Sequence, residues 1–221
     1  MRTTAGSGER QGEIAHPILA EASPDTLRRL SIYADLLKKW RRAVNLVGPG
    51  AIDDLWIRHF ADSLQVSDAA PWARRWVDLG SGAGFPGLVT AIRYADDKDA
   101  EVHLIESDQR KCAFLRDVSR ETGARAQIHC GRIEDILPDF RRPVDAVSAR
   151  ALAALPILLN YSAKLIESGA VGVFSKGENA ESELTDPAAT ARYEISTLPS
   201  QTLSSARLVI VRRRQGPSPT A

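Results

Sequence analysis

VDLGSGAGFPG, residues 77–87, is the stretch that decides the fold. An apolar, strand-like run enters it, Gly80, Gly82 and Gly84 follow in G-x-G-x-G spacing, and a helical segment leaves it. Glycines in such a turn let the backbone bend sharply and approach a ligand with no Cβ in the way. The rest of the chain supplies the sheet that this turn needs. Apolar runs at RWVDLG (75–80), EVHLIE (101–106), AQIHC (126–130), VDAVSAR (144–150) and AVGVFSK (170–176) are separated by segments long enough for helices, among them Asp108 to Thr122 and Leu155 to Glu167. This rhythm predicts an α/β fold with a mostly parallel sheet covered on both faces. YEISTL (193–198) and RLVIVRR (207–213) are too close for a helical crossover, so they are predicted to pair antiparallel at the sheet's end.

Upstream of the glycine turn the pattern is helical. Ser23 can cap, Pro24 suits a first turn, and apolar residues recur at Leu30, Tyr33, Leu37, Trp40 and Val44. A second helix is predicted near Ile52 to Leu64, ending before DAAPWARR. Residues 1–22 and 215–221 lack periodicity and read as mobile tails, which leaves a helical extension over 23–74 and the sheet domain over 75–214.

Composition narrows the class. In 221 residues, 29 Lys+Arg balance 28 Asp+Glu and 43% are apolar, which argues against a disordered chain, a collagen or a coiled coil. Cys112 and Cys130 stand in no Cys-x-x-Cys or Cys/His cluster, so neither a metal site nor a disulfide framework is expected. With no apolar signal core at the N-terminus and no run of about eighteen apolar residues, a cytoplasmic protein off the membrane with reduced thiols is expected.

The glycine turn favours S-adenosylmethionine over a dinucleotide. Its spacing is not G-x-G-x-x-G, Gly84 is followed by Phe85-Pro86, and Asp78 would repel a pyrophosphate while suiting the ammonium group of a sulfonium cofactor. Glu106, closing the second strand, is placed to accept hydrogen bonds from ribose hydroxyls. After the third strand, Ile133 could pack on an adenine face while Glu134 or backbone groups read its edge. With Gly80, Gly82 and Gly84 these form the candidate cofactor set. The fold expectation is therefore a class I S-adenosylmethionine-dependent methyltransferase sheet, Rossmann-like, with an antiparallel C-terminal strand and N-terminal helices.

Other segments carry a more specific resemblance. KKWRRAVNLV (38–47), IRHFADSL (57–64), VDLGSGAGFPG, LIESDQRKCAFL (104–115), GRIEDI (131–136), SARAL (148–152) and FSKGENAESEL (174–184), in this order, resemble the bacterial small-subunit ribosomal RNA guanine-N7 methyltransferase family, RsmG/GidB. The likeness runs from about Leu30 to Val211. It implies methyl transfer to N7 of a guanine in 16S ribosomal RNA within the 30S subunit, and cofactor contacts at Gly80, Phe85, Ile133, Glu134 and Arg150. Arg41 and Val47 depart from it, standing where the family commonly has Asn and Thr.

Guanine N7 carries an in-plane lone pair and no proton, so its methylation needs placement rather than a general base, and no catalytic acid/base dyad is expected. Asn45, Arg58, His59, Arg150 and Lys176 are the candidates for fixing a guanine edge or flanking phosphates. His59 and Asp62, three apart on one helix face, could instead lock that helix against the sheet. A near-neutral chain that binds RNA needs local positive charge. Arg28, Arg29, Lys38, Lys39, Arg41 and Arg42 against Asp35 supply it over 26–47, and Arg212, Arg213 and Arg214 add a second block. Glu178, Glu181, Glu183 and Asp186 form an acidic run expected to face away from RNA. Alternatives are a class I methyltransferase acting on another RNA, a protein or a small molecule, and a non-catalytic RNA-binding module. A monomer is expected.

Overall fold

The computed structural model describes residues 16–48, 50, 53–178, 180–183 and 191–214. Seven strands make one sheet: β1 Arg75–Leu79, β2 Glu101–Glu106, β3 Gln127–Cys130, β4 Ala146–Arg150, β5 Val171–Lys176, β6 Tyr193–Pro199 and β7 Arg207–Arg213. Their order is β3-β2-β1-β4-β5-β7-β6, and β7 alone runs against its neighbours. The predicted strands are all present, each within two residues of its expected bounds. The order reverses between β1 and β4, and in open parallel sheets the crevice at such a point, at the strands' carboxyl ends, is where ligands bind.

Helices cover both faces. On one lie α1 Pro17–Ala20, α2 Pro24–Trp40, a π-helix Leu55–Ala61 continuing as α3 Asp62–Asp68, α4 Gly87–Arg93 and α5 Gln109–Thr122. The other carries α6 Ile133–Ile136 and α7 Leu155–Glu167, and α8 Ala180–Glu183 follows β5. Helix α2 starts as its sequence dictates, with the Ser23 hydroxyl accepting from Thr26 N at 3.1 Å. Leu30, Tyr33 and Leu37 form its buried stripe, sharing one core with Phe60, Leu88, Phe114 and the strand residues Leu104 and Val173. Asp108 caps α5 through the amides of Arg110 and Lys111, and Gly123 ends it in a left-handed conformation.

Two expectations need correction here. The stretch read as a tail up to residue 22 contains α1, whose Ile18 and Leu19 are buried in the main core. Four residues are too few to show helical periodicity, and tertiary contacts hold the segment. Residues 1–15 and 215–221 lie outside the described residues. The second helix does not stop at Leu64 but runs to Asp68, and its first seven residues are π-wound, a wider turn that no spacing rule in the sequence reveals.

Candidate functional site

The glycine turn, the end of β2 and the end of β4 meet at the switch point. Together with the start of α6 they line a cavity of ≈ 460 Å³, within the size range of small-molecule sites. Gly82 sits at φ +58°, and a Cβ there would meet nothing nearer than Gly80 O at 3.8 Å, so the turn presents bare backbone to open space. Glu106 is buried at the floor. One carboxylate oxygen accepts from Gly82 N and the other from Asp108 N, both at 2.8 Å, which fixes the side chain while leaving lone pairs for a ligand. Ile133 offers an apolar wall, and Glu134 is held by the Tyr161 hydroxyl at 2.7 Å. That hydrogen bond keeps the Glu134 carboxyl below its usual range. An open backbone cradle, an oriented carboxylate and an apolar wall suit the amino acid, ribose and adenine portions of S-adenosylmethionine.

Of the expected cofactor set, Gly80, Gly82, Phe85, Glu106, Ile133, Glu134 and Arg150 line this cavity. Gly84 does not. At φ +100° it packs inward, where a Cβ would stand 2.6 Å from the Tyr33 hydroxyl and 2.8 Å from Leu88 Cβ, so glycine is required there for close approach of α2 and α4. Asp78 is also displaced from its expected role. It is wholly buried behind the turn, takes a hydrogen bond from Ser148 Oγ at 2.6 Å, and leaves no room for a side chain at Gly87. Burial pushes its carboxyl up to about 6. Asp78 shapes the turn from beneath and does not line the cavity.

A second cavity, ≈ 640 Å³, opens beside the first, and Gly48, His59, Arg150 and Ala151 line both. Arg150 is the joint. Its guanidinium, only 18% exposed, donates to Asp62 Oδ2 at 2.9 Å and to Arg58 O at 3.0 Å, and it also meets His59 Nδ1. Phe85 backs this group, with the His59 ring stacked on it at 4.8 Å and the Arg150 guanidinium 5.6 Å from its centroid. Ala151 follows at φ +51°, a conformation unusual for a side-chain-bearing residue and common at functional sites. Burial, then the charges of Arg150 and Arg58, push His59 down to about 4. A guanidinium only donates, so neutral His59 accepts at Nδ1 and carries its proton on Nε2.

The other expected substrate contacts divide. Arg58 lines the second cavity but is exposed and pairs with Asp54 at 3.7 Å. Lys176 lines it too, although its ammonium is already bound to Glu183 at 2.7 Å and to Ala153 O at 2.9 Å. That pairing corrects the reading of the acidic run: Glu183 turns inward and also accepts from Leu155 N at 2.6 Å. Asp186 lies outside the described residues. Asn45 is exposed and lines neither cavity, because Leu46 and Val47 make the inward contacts of that loop. His59 and Asp62 do lock their helix to the sheet, but through Arg150 rather than through each other.

Several residues escaped the sequence reading. Tyr161 and Leu152 line the first cavity, and Ser200, Thr202 and Arg207, at the β6–β7 connection, line the second. That connection is fastened by polar contacts. Asp62 Oδ1 accepts from Thr202 Oγ1 at 2.8 Å and from Gln65 Nε2 at 2.7 Å, while Gln65 Oε1 accepts from Gln201 N at 3.1 Å. Ala151 escaped as well: its left-handed backbone breaks a local rule, and alanine carries no warning of that in a sequence.

With this geometry in view, the comparisons with known proteins are specific. A family model described as "rRNA small subunit methyltransferase G" matches residues 26–208. A protein named Ribosomal RNA small subunit methyltransferase G from Methylobacterium sp. (strain 4-46) is 48% identical over 205 residues, covering 91% of this chain and 96% of that protein. Among solved structures, the SAH-bound Podospora anserina methyltransferase PaMTH1 aligns with a TM-score of 0.62 at 12% identity, over 97% of this chain and 98% of its own. The O-methyltransferase TomG from Streptomyces achromogenes, in complex with SAM, gives a TM-score of 0.58 at 18% identity, over 84% and 90%. At those identities the structural likeness bears on the fold alone.

Proposed function

The chain belongs to the rRNA small subunit methyltransferase G family, and from that premise we propose that it transfers the methyl group of S-adenosylmethionine to N7 of a guanine in 16S ribosomal RNA. The observation that carries the reading is the pair of abutting cavities divided by Arg150 and His59, with the glycine cradle and Glu106 on one side only. In this reading Gly80, Gly82, Glu106, Ile133 and Glu134 hold the cofactor, which supplies an electrophilic methyl on a sulfonium. The second cavity takes the guanine.

Because N7 attacks with an unprotonated lone pair, the residues at the wall have only to orient the base and keep water out. Orientation alone contributes up to roughly 7–11 kcal/mol in favourable systems. His59 Nε2–H and the Arg150 edge are donors of the kind that bind a guanine's O6. Arg58, exposed at the rim of the same cavity, supplies charge for flanking phosphates, while Lys176, held by Glu183, forms part of its wall. The reading also has the protein acting as a cytoplasmic monomer, without a metal, on the 30S subunit.

Transfer of labelled methyl to purified 30S subunits, with free RNA and protein as comparison acceptors, tests the proposal. The labelled nucleotide should be cleaved by reduction and aniline, a treatment selective for N7-methylguanine. Label confined to protein, or RNA label resistant to that cleavage, overturns it.

A further inference from the structure

The C-terminal arginine block does not reach the site. β7 is antiparallel to β5, pairing Gly172 with Val211, so Arg212 and Arg213 lie at the amino-terminal ends of the parallel strands. At about 3.3 Å per residue, the length of β1 separates that edge from the glycine turn by roughly 15 Å. Trp72, just ahead of β1, lies at the same edge and, among the described residues, is the most exposed of the large apolar side chains, at 58%. Trp72, Asp145, Gly169, Arg212 and Arg213 line a cleft there of ≈ 460 Å³.

The cleft's charge is decided by what Asp145 already holds. Its carboxylate accepts from the backbone amides of Arg74 and Arg75, at 3.0 and 2.9 Å, and pairs with the Arg75 guanidinium, which keeps it below the usual carboxylate range. Its negative charge is therefore compensated from within the fold. Arg212 and Arg213 are exposed, and Arg213 donates to the Glu167 carbonyl at 3.4 Å. The cleft thus combines an exposed indole with two exposed cations, Arg212 and Arg213, which alternate along β7 and so flank it from the two faces of the sheet. Bases of any identity stack on an indole while guanidinium groups take the phosphates, which is how proteins grip single-stranded nucleic acid.

We propose that this cleft is a second RNA-binding site, remote from the methyl-transfer centre, in which an unpaired nucleotide stacks on Trp72 and its phosphates rest on Arg212 and Arg213. The proposal extends the reading of an RNA substrate and adds a contact on the far edge of the sheet. Base-paired RNA does not fit, because its bases have no free face to offer.

The test uses the full chain and a fluorescently end-labelled hexa-adenylate, with binding read by anisotropy across a salt series. Trp72→Ala should weaken binding about tenfold and Trp72→Phe should restore most of it. Replacing Arg212 and Arg213 together by Ser should flatten the log–log salt slope by about 1.4, as expected for two single-strand phosphate contacts. In methyl transfer to 30S subunits the same variants should raise KM several-fold and leave kcat and S-adenosylmethionine affinity unchanged.

Hexamer binding that is undetectable in the wild type, or equal in all the variants, overturns the proposal. A raised KM without any change in hexamer binding assigns the cleft to a protein of the subunit and overturns it as well. Trp72-dependent hexamer binding by a protein that fails to methylate 30S subunits sustains the cleft and sinks the proposed acceptor instead.

Discussion

Protonation of His59 separates the folded from the unfolded chain. Folded, it stays neutral down to about pH 4, whereas an unperturbed histidine protonates near 6.5. Unfolding therefore takes up a proton between those values, and stability contributed by His59 is present above pH 6.5 and lost as pH falls toward 4. The slope is at most about 1.4 kcal/mol per pH unit. Urea unfolding from pH 7.5 to 5 should show a steeper decline in the wild type than in His59→Asn, whose amide oxygen can still accept from Arg150. Parallel curves would refute the assignment. Asp78, raised to about 6, slopes the opposite way and is common to both proteins, so the comparison isolates His59. Glu106→Ala should weaken S-adenosylmethionine binding by about 1–3 kcal/mol, measured by calorimetry, because the ribose loses a charged acceptor. Arg150→Ala should cost activity and about 3 kcal/mol of stability together, since the largely buried Asp62 carboxylate loses its cation and keeps only the neutral donors Thr202 and Gln65. A melting temperature equal to the wild type's, with activity lost, would make Arg150 purely a ligand contact. Glu106 and Arg150 were legible in the sequence because each ends a strand at the carboxyl edge. Asp78 was legible as an acid but not as a buried one: two positions before the glycines its side chain turns beneath the sheet, and only packing reveals that.

Among the elements, the β6–β7 connection is the part of the site least visible in the chain. Ser200 and Thr202 look like ordinary turn residues, yet they meet Gln65 and Asp62 across more than 130 positions. Their partners lie on α3, whose register depends on the π-wound segment before it, and no periodicity announces a π turn. The strands, by contrast, were readable because parallel strands buried on both faces appear as short continuous apolar runs. Helix α7 was found with its observed bounds for a related reason, since Leu155, Leu158, Leu159 and Ile166 trace one buried stripe. Thr202→Val, which keeps shape and removes the hydroxyl, should lower kcat on 30S subunits several-fold while S-adenosylmethionine affinity holds, and Thr202→Ser should recover it. An unchanged kcat in the valine variant would reduce the connection to a surface turn.

Over the whole molecule, positive charge is less evenly available than the composition suggests. Arg29 is committed to Asp96 through two bonds of 2.8 Å and Arg28 pairs with Asp25, so the basic end of α2 rests on Lys38, Lys39, Arg41 and Arg42, all exposed. The chain passes directly from them into Leu46, Val47 and Gly48 at the cofactor cavity. Replacing the four together by Gln should raise KM for 30S subunits and flatten its salt dependence with S-adenosylmethionine affinity intact. Wild-type KM throughout a salt series would leave that end of the helix a solvated face. The carboxylate of Asp62, finally, has a history as well as a position. Its partner Arg150 lies 88 residues further on and Thr202 lies 140 further on. A ribosome making this chain from the N-terminus delivers the acid long before the groups that satisfy it, and closing so long a loop is entropically slow. Until β6 and β7 have been synthesised, the nascent protein therefore lacks the connection that closes the second cavity, and Asp62 waits without the partners that fix it.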